Sequence, residues 1–152
     1  MDIVEAAIRK FSPLLRAVGG NESYQGSLRA RLRALPQLLL VNGLTSTILF
    51  YAAKAEVENL KKALMVYEGR PLTGMTKEQA GYALALSAVL KFLQDDLGLP
   101  LPSGERFNAE SFLEFLNGEL APRRREVMLR LLPFTVELKR LAEASLKEAG
   151  GV

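Results

Sequence analysis

Apolar residues recur at helical spacing along almost the whole chain. Val4, Ile8, Phe11, Leu15 and Val18 step by four and three, which predicts one face of a first helix. Pro13 lies inside that pattern as a potential kink, and Gly19–Gly20–Asn21 marks its end. A second stripe runs through Leu28, Leu32, Leu35 and Leu39, and a third through Leu49, Ala53, Val57, Leu60, Leu64 and Tyr67. Gly69, Pro71 and Gly74 predict a turn. The run "TKEQ" from Thr76 to Gln79 is a capping box opening a fourth helix, with Tyr82, Leu86, Val89, Leu93 and Leu97 facing inward. After a Pro/Gly loop, "GLPLPSG" at 98–104, Asn108 caps a short fifth helix carrying Phe112, Leu116 and Leu120. Pro122 suits the first turn of a sixth, whose stripe is Val127, Leu131, Phe134, Leu138 and Leu141, with Pro133 inside it. No strand alternation, heptad array or repeat interrupts this. The pattern predicts an all-α protein, a compact bundle of five to six helices forming a single helical domain over 1–152. Two joints stay open: at Pro36 and at Asn42–Gly43 the chain either turns or continues as one long kinked helix.

The longest uncharged run, Ala34 to Ala53, has 20 residues, about what a helix needs to cross a bilayer. Its interior holds Pro36, Gln37, Asn42, Gly43, Thr45, Ser46 and Thr47, and Asn42–Gly43 falls where polar groups cost most in lipid. The run therefore predicts soluble core, a seam buried at the centre of the bundle. The start, "MDIVEAAIRKF", is acidic at once and amphipathic, so neither a secretory leader nor a membrane span is expected.

Composition removes several chemistries. There is no Cys and no His, so disulfides, thiolate metal sites, serine triads and papain-like dyads are excluded. The absence of Cys with abundant Arg, Glu and Leu fits a cytosolic protein. The net charge of +3 is mild but uneven. Residues 1–42 carry six basic groups against three acidic ones, whereas 108–152 is balanced at seven each yet contains the block Arg123–Arg124–Arg125. A local basic field of this kind favours a polyanion or an acidic protein face.

Asp95–Asp96 is the one adjacent carboxylate pair, and at a helix end before Gly98 it reads as a solvated terminus rather than a metal or acid–base site. No glycine pattern supports a nucleotide loop. No catalytic residue, metal ligand or cofactor is expected. The basic groups say more. Counting about 100° per residue from Leu28, Arg29 lies at about 100° and Arg33 at about 140°, away from the leucine stripe. These two share an outer ridge, and Arg31 falls on the other border with its stem over the core edge. Solvated surface is the default for such residues. The alternative is a pair of guanidiniums one turn apart that suits successive phosphates or a carboxylate cluster. Arg123, Arg124 and Arg125 pose the same choice: in a first helical turn they oppose the macrodipole unless Glu119 and Glu126 offset it, and phosphate is their natural ligand. Tyr24 is the only aromatic near the ridge in sequence, so base stacking is expected to add little.

Two stretches carry a family resemblance. "LPQLLLVNGLTSTILFYAAK" at 35–54, downstream of the basic "SLRARL", and "GYALALSAVLKFL" at 81–93 together resemble the small all-helical subunit of the Cmr complex, the type III-B CRISPR RNA-guided silencing machine. The two stretches cover about a fifth of the chain. The resemblance implies a non-catalytic, cytoplasmic subunit that stacks as several copies beside the backbone subunit holding the guide RNA. It also implies a path lined for the guide–target RNA duplex and contact with the large polymerase-like subunit. Arg29, Arg33, Arg123, Arg124 and Arg125 are RNA-contact candidates on charge geometry alone. The competing reading is a helical adaptor for an acidic protein partner without RNA contact; a carboxylate–metal hydrolase ranks below both.

Overall fold

Fourth-helix residues that the hydropathy pattern treats as one stripe prove to be buried all the way round. The computed structural model describes residues 1–148. Its helices are α1 (Ile3–Val18), α2 (Glu22–Asn42), α3 (Leu44–Ala55), α4 (Val57–Met65), α5 (Lys77–Asp95), α6 (Ala109–Phe115) and α7 (Arg124–Ser145), and no described residue is in a strand. Every residue from Ala80 to Leu90 is buried. Helices α1, α2, α3, α4 and α7 all pack against α5, with α2 making the most extensive contact. The bundle is thus a central helix inside a sleeve.

Local signals set the boundaries. Asp2 caps α1, Asn21 caps α2, and Thr76 and Asn108 open α5 and α6 with reciprocal capping boxes. Both open joints are resolved. Pro36 sits buried within a continuous α2, and Gly43 ends that helix at φ 85°, a backbone conformation suited to glycine. Between Phe115 and α7 the chain winds through a π turn (Leu116–Leu120) and a 3-10 turn (Ala121–Arg123), with Leu116 and Leu120 buried.

Three expectations are corrected. Val4, Ile8 and Leu15 are exposed; α1 buries Ala6, Ala7, Lys10, Phe11, Leu14 and Val18 instead. Small alanines let α1 approach its neighbours, and a paired lysine is tolerated inside, so the larger side chains do not mark the buried face. The third stripe is two helices: Glu56, at φ 73°, breaks it, leaving Leu49 exposed while Tyr51 and Ala55 turn inward. The uncharged run 34–53 is not the central seam. Leu39 and Ile48 are buried, but Leu40, Val41, Leu49 and Phe50 are 62%, 67%, 48% and 45% exposed. No described helix is long and apolar enough to cross a membrane.

Candidate nucleic-acid interface

Arg29 and Arg33 do share one ridge of α2, but the ridge does not face open water. It lies against the end of α7. Arg29 Nη1 is 3.5 Å from Glu148 Oε1, and Arg33 Nε is 3.6 Å from Glu143 Oε2. A shallow groove there is lined by Gly26, Arg29, Ala30, Arg33, Ala34 and Glu148. Nearby, Gln25 accepts from the Lys147 backbone N–H, and Lys147 Nζ pairs with Glu22 at 2.6 Å, which holds that carboxyl below its usual range. The chain's own acids therefore already compensate this ridge.

The 123–125 block sits at the other end of α7. From Arg125 to Glu143 the helix rises about 27 Å, so the two basic groups form no single site. Arg123 pairs with Glu126 at 3.2 Å, the offset expected from the sequence; Glu119 makes no ion pair among the described residues. Arg124 donates to the Ala121 carbonyl at 2.8 Å. No described carboxylate lies within ion-pair distance of Arg125. Arg124 and Arg125 border a shallow apolar hollow with Gly43, Leu44, Met128 and Leu129, and Leu129 is 79% exposed. Here the end of α2 and the start of α3 meet the start of α7, so α2 and α7 run antiparallel.

A third basic group escapes sequence reading. Tyr24 is partly buried against the core, and its hydroxyl donates to the Met75 carbonyl at 2.7 Å. Other aromatics reach the neighbourhood from α3 and α5. The Arg31 guanidinium lies 4.2 Å from the centre of the Tyr82 ring, confirming that its stem crosses the core edge. Tyr82 meets Tyr51 edge-on at 5.0 Å and Phe50 edge-on at 5.9 Å. Lys54, one turn beyond Phe50, places its ammonium 5.9 Å from that ring. Tyr51 is fixed by donating to the Arg31 carbonyl at 2.6 Å. Burial, with Tyr82 beside it, holds the Tyr51 phenol well above its usual range, and Arg31 offsets part of this. The available sequence signal was Phe50 and Lys54 at i, i+4. Nothing in the sequence says that Arg31 and Tyr82 stand next to them.

Only Asp95 of the Asp95–Asp96 pair is solvated, at 42% exposed against 12% for Asp96. Lys10, 7% exposed, lies 3.0 Å from Asp95 and 3.5 Å from Asp96; Arg9 reaches Asp96 at 3.5 Å and Lys91 reaches Asp95 at 3.8 Å. The pair ties the end of α5 to α1. Among the described residues no group of three or more acidic, His or Cys side chains converges as metal ligands would.

A family model described as "CRISPR-associated protein (Cas_Cmr5)" matches residues 4–145. No curated protein sequence matches the chain. Among solved structures, one similar chain is from the type III-B Cmr-beta complex bound to non-cognate target RNA. Its TM-score is 0.83 at 18% identity, over 97% of this chain and 98% of that one. Another is from the type III-B Cmr-beta bound to cognate target RNA and AMPPnP, with TM-score 0.83 and 18% identity over 95% and 96%. At that identity the likeness establishes the shared fold.

Proposed function

The chain belongs to the Cas_Cmr5 family of CRISPR-associated proteins, and from this we propose that it is a non-catalytic small subunit of a type III-B CRISPR (Cmr) effector complex. In this role it stacks beside the backbone subunit along the guide RNA, meets further copies of itself and the large polymerase-like subunit, and supports capture of target RNA. The observation that carries the reading is the extent of the family match, 4–145, which takes in all seven helices apart from the first residue of α1. The chemistry agrees. The carboxylate pair is committed to Lys10, and cations without an acidic partner among the described residues, Arg31 and Lys54, stand beside the exposed Phe50. Phosphate recognition by several weak contacts suits a repeated subunit, because each copy in an assembly acts at high effective concentration. Co-expression with the other subunits of such a complex tests this. The chain should co-purify with them and with a guide RNA, and failure of both would sink the proposal.

A specific observation also favours the adaptor reading: the apolar hollow beside Arg124 and Arg125, with Leu129 almost fully exposed, has the make-up of a docking site for an acidic protein surface. The two readings are compatible if the hollow holds a neighbouring subunit. A Leu129→Asp variant that folds normally but loses protein partners while retaining RNA would assign the hollow to that use.

A further inference from the structure

We propose that the row Arg31, Tyr82, Phe50 and Lys54 is a single-stranded RNA platform, on which an unpaired base stacks against Phe50 and the flanking phosphates meet Arg31 and Lys54. The inference rests on the subunit reading above and names the surface by which that subunit touches RNA.

Three observations carry it. First, these are cations left uncompensated. Arg29 and Arg33 are answered by Glu148 and Glu143, whereas no described carboxylate pairs with Arg31 or Lys54. Second, Phe50 offers a ring to solvent that a folded monomer gains nothing by exposing: it is 45% exposed, while its edge-on neighbours Tyr51 and Tyr82 are 1% and 6% exposed. Third, the ring is backed by two buried rings. Tyr51 and Tyr82 pack against it at 6.1 and 5.9 Å, and Tyr51 is itself anchored on the α2 backbone. A preset aromatic face between two cations is what sequence-tolerant single-strand binders use, since every base has a π-face and every nucleotide a phosphate. Lys54 sits at the outer limit of cation–π distance from Phe50, so its ammonium is free to swing to a phosphate as a base replaces it over the ring.

The roles separate in salt. Stacking is neutral, so Phe50→Leu, which keeps apolar bulk against the two tyrosines, should weaken binding of a twelve-nucleotide single-stranded RNA to the full-length chain about five-fold or more. It should leave the slope of log K against log salt unchanged. Arg31→Gln with Lys54→Gln should instead flatten that slope by about 1.4, two phosphates at about 0.7 each. RNA carrying 5-iodouridine should photo-crosslink to the peptide containing Phe50. Each variant is first checked for an unchanged helix content and co-purification with the other Cmr subunits. Loss of co-purification by Phe50→Leu would make Phe50 a protein contact and overturn the platform. Assembly and RNA affinity both at parental values, or crosslinks confined to 123–125, would also overturn it and leave the subunit reading standing. Failure of the parent chain to assemble would count against the subunit reading alone, since the crosslink to Phe50 is read on the isolated chain.

Discussion

Ser27 and Gly81 mark a close crossing of α2 and α5: a Cβ placed on Gly81 would sit 2.8 Å from both the Cβ and the backbone carbonyl carbon of Ser27. The α2 and α5 backbones touch there, and only a hydrogen fits between them. Gly81→Ala must push the helices apart, at a cost of about 1–3 kcal/mol, which lowers Tm by at least about 3 °C. Gly118→Ala meets nothing within 4 Å and is the control, with an expected gain of about 0.4–1 kcal/mol. Thermal melts of the two variants should move in opposite directions.

Lys10 supports the α1–α5 contact by charge. Removing Lys10, 7% exposed, leaves Asp96, 12% exposed, with only the more solvated Arg9 at 3.5 Å as counter-charge, a loss that stays below the about 3–5 kcal/mol of a fully unpaired buried charge. Lys10→Ala should therefore destabilise the protein far more than Asp95→Asn, because Asp95 is 42% exposed and its side chain remains solvated. Urea titrations that rank the two equally would contradict the burial argument.

Alkaline pH should unfold the protein through two phenols. Burial raises Tyr51 and Tyr67 well above the ordinary value of 10.0, and their hydroxyls donate to the Arg31 and Lys10 carbonyls, each at 2.6 Å. Below pH 10 both phenols are neutral in folded and unfolded chains alike, and the stability is intact. Above it the unfolded chain ionises and the folded one does not, so stability falls by about 1.4 kcal/mol per pH unit for each phenol. Tyrosinate absorbance for these two should rise together with loss of helix. A separate ionisation with helix retained would show the phenols to be more accessible than the structure has them.

The two basic groups named from sequence should behave differently toward RNA. Glu143→Gln with Glu148→Gln uncovers Arg33, which is exposed, and Arg29, which is 15% exposed but whose partner Glu148 is 70% exposed, so the loss in stability should not exceed about 1 kcal/mol. If the ridge lies near RNA, the salt slope steepens. Arg125→Ala should flatten it by about 0.7 for one lost phosphate contact. Titrations at two salt concentrations decide each case, and a slope unmoved by the Glu pair assigns the ridge to packing against α7.

Helix type, capping and turn positions were readable because they depend on local chemistry: Thr76 and Gln79 close their box whatever surrounds them. Burial was not, where size and burial part company. The centre of the bundle is rich in small residues, with Ala80, Gly81, Ala83, Ala85 and Ala88 all buried, and small residues score low on hydropathy although they permit the closest approach. The leucine-rich run before Lys54 scores higher and is half on the surface. The candidate site failed for a related reason. Charge counting located Arg29 and Arg33, but their acids lie more than 100 residues away in sequence, and nothing local announces the pairing. Arg31 meets Tyr82 across a gap about half as long, which again only the fold closes.

Because α5 is sleeved, it has almost no outer face with which to recognise anything. Evolution can therefore rewrite the sleeve's outward residues without disturbing the axle, and change the axle's buried positions only by trading uncharged side chains of similar volume. A lineage built this way can hold its outline while its spelling drifts, and a shared TM-score of 0.83 at 18% identity is a degree of divergence that such a division of labour allows.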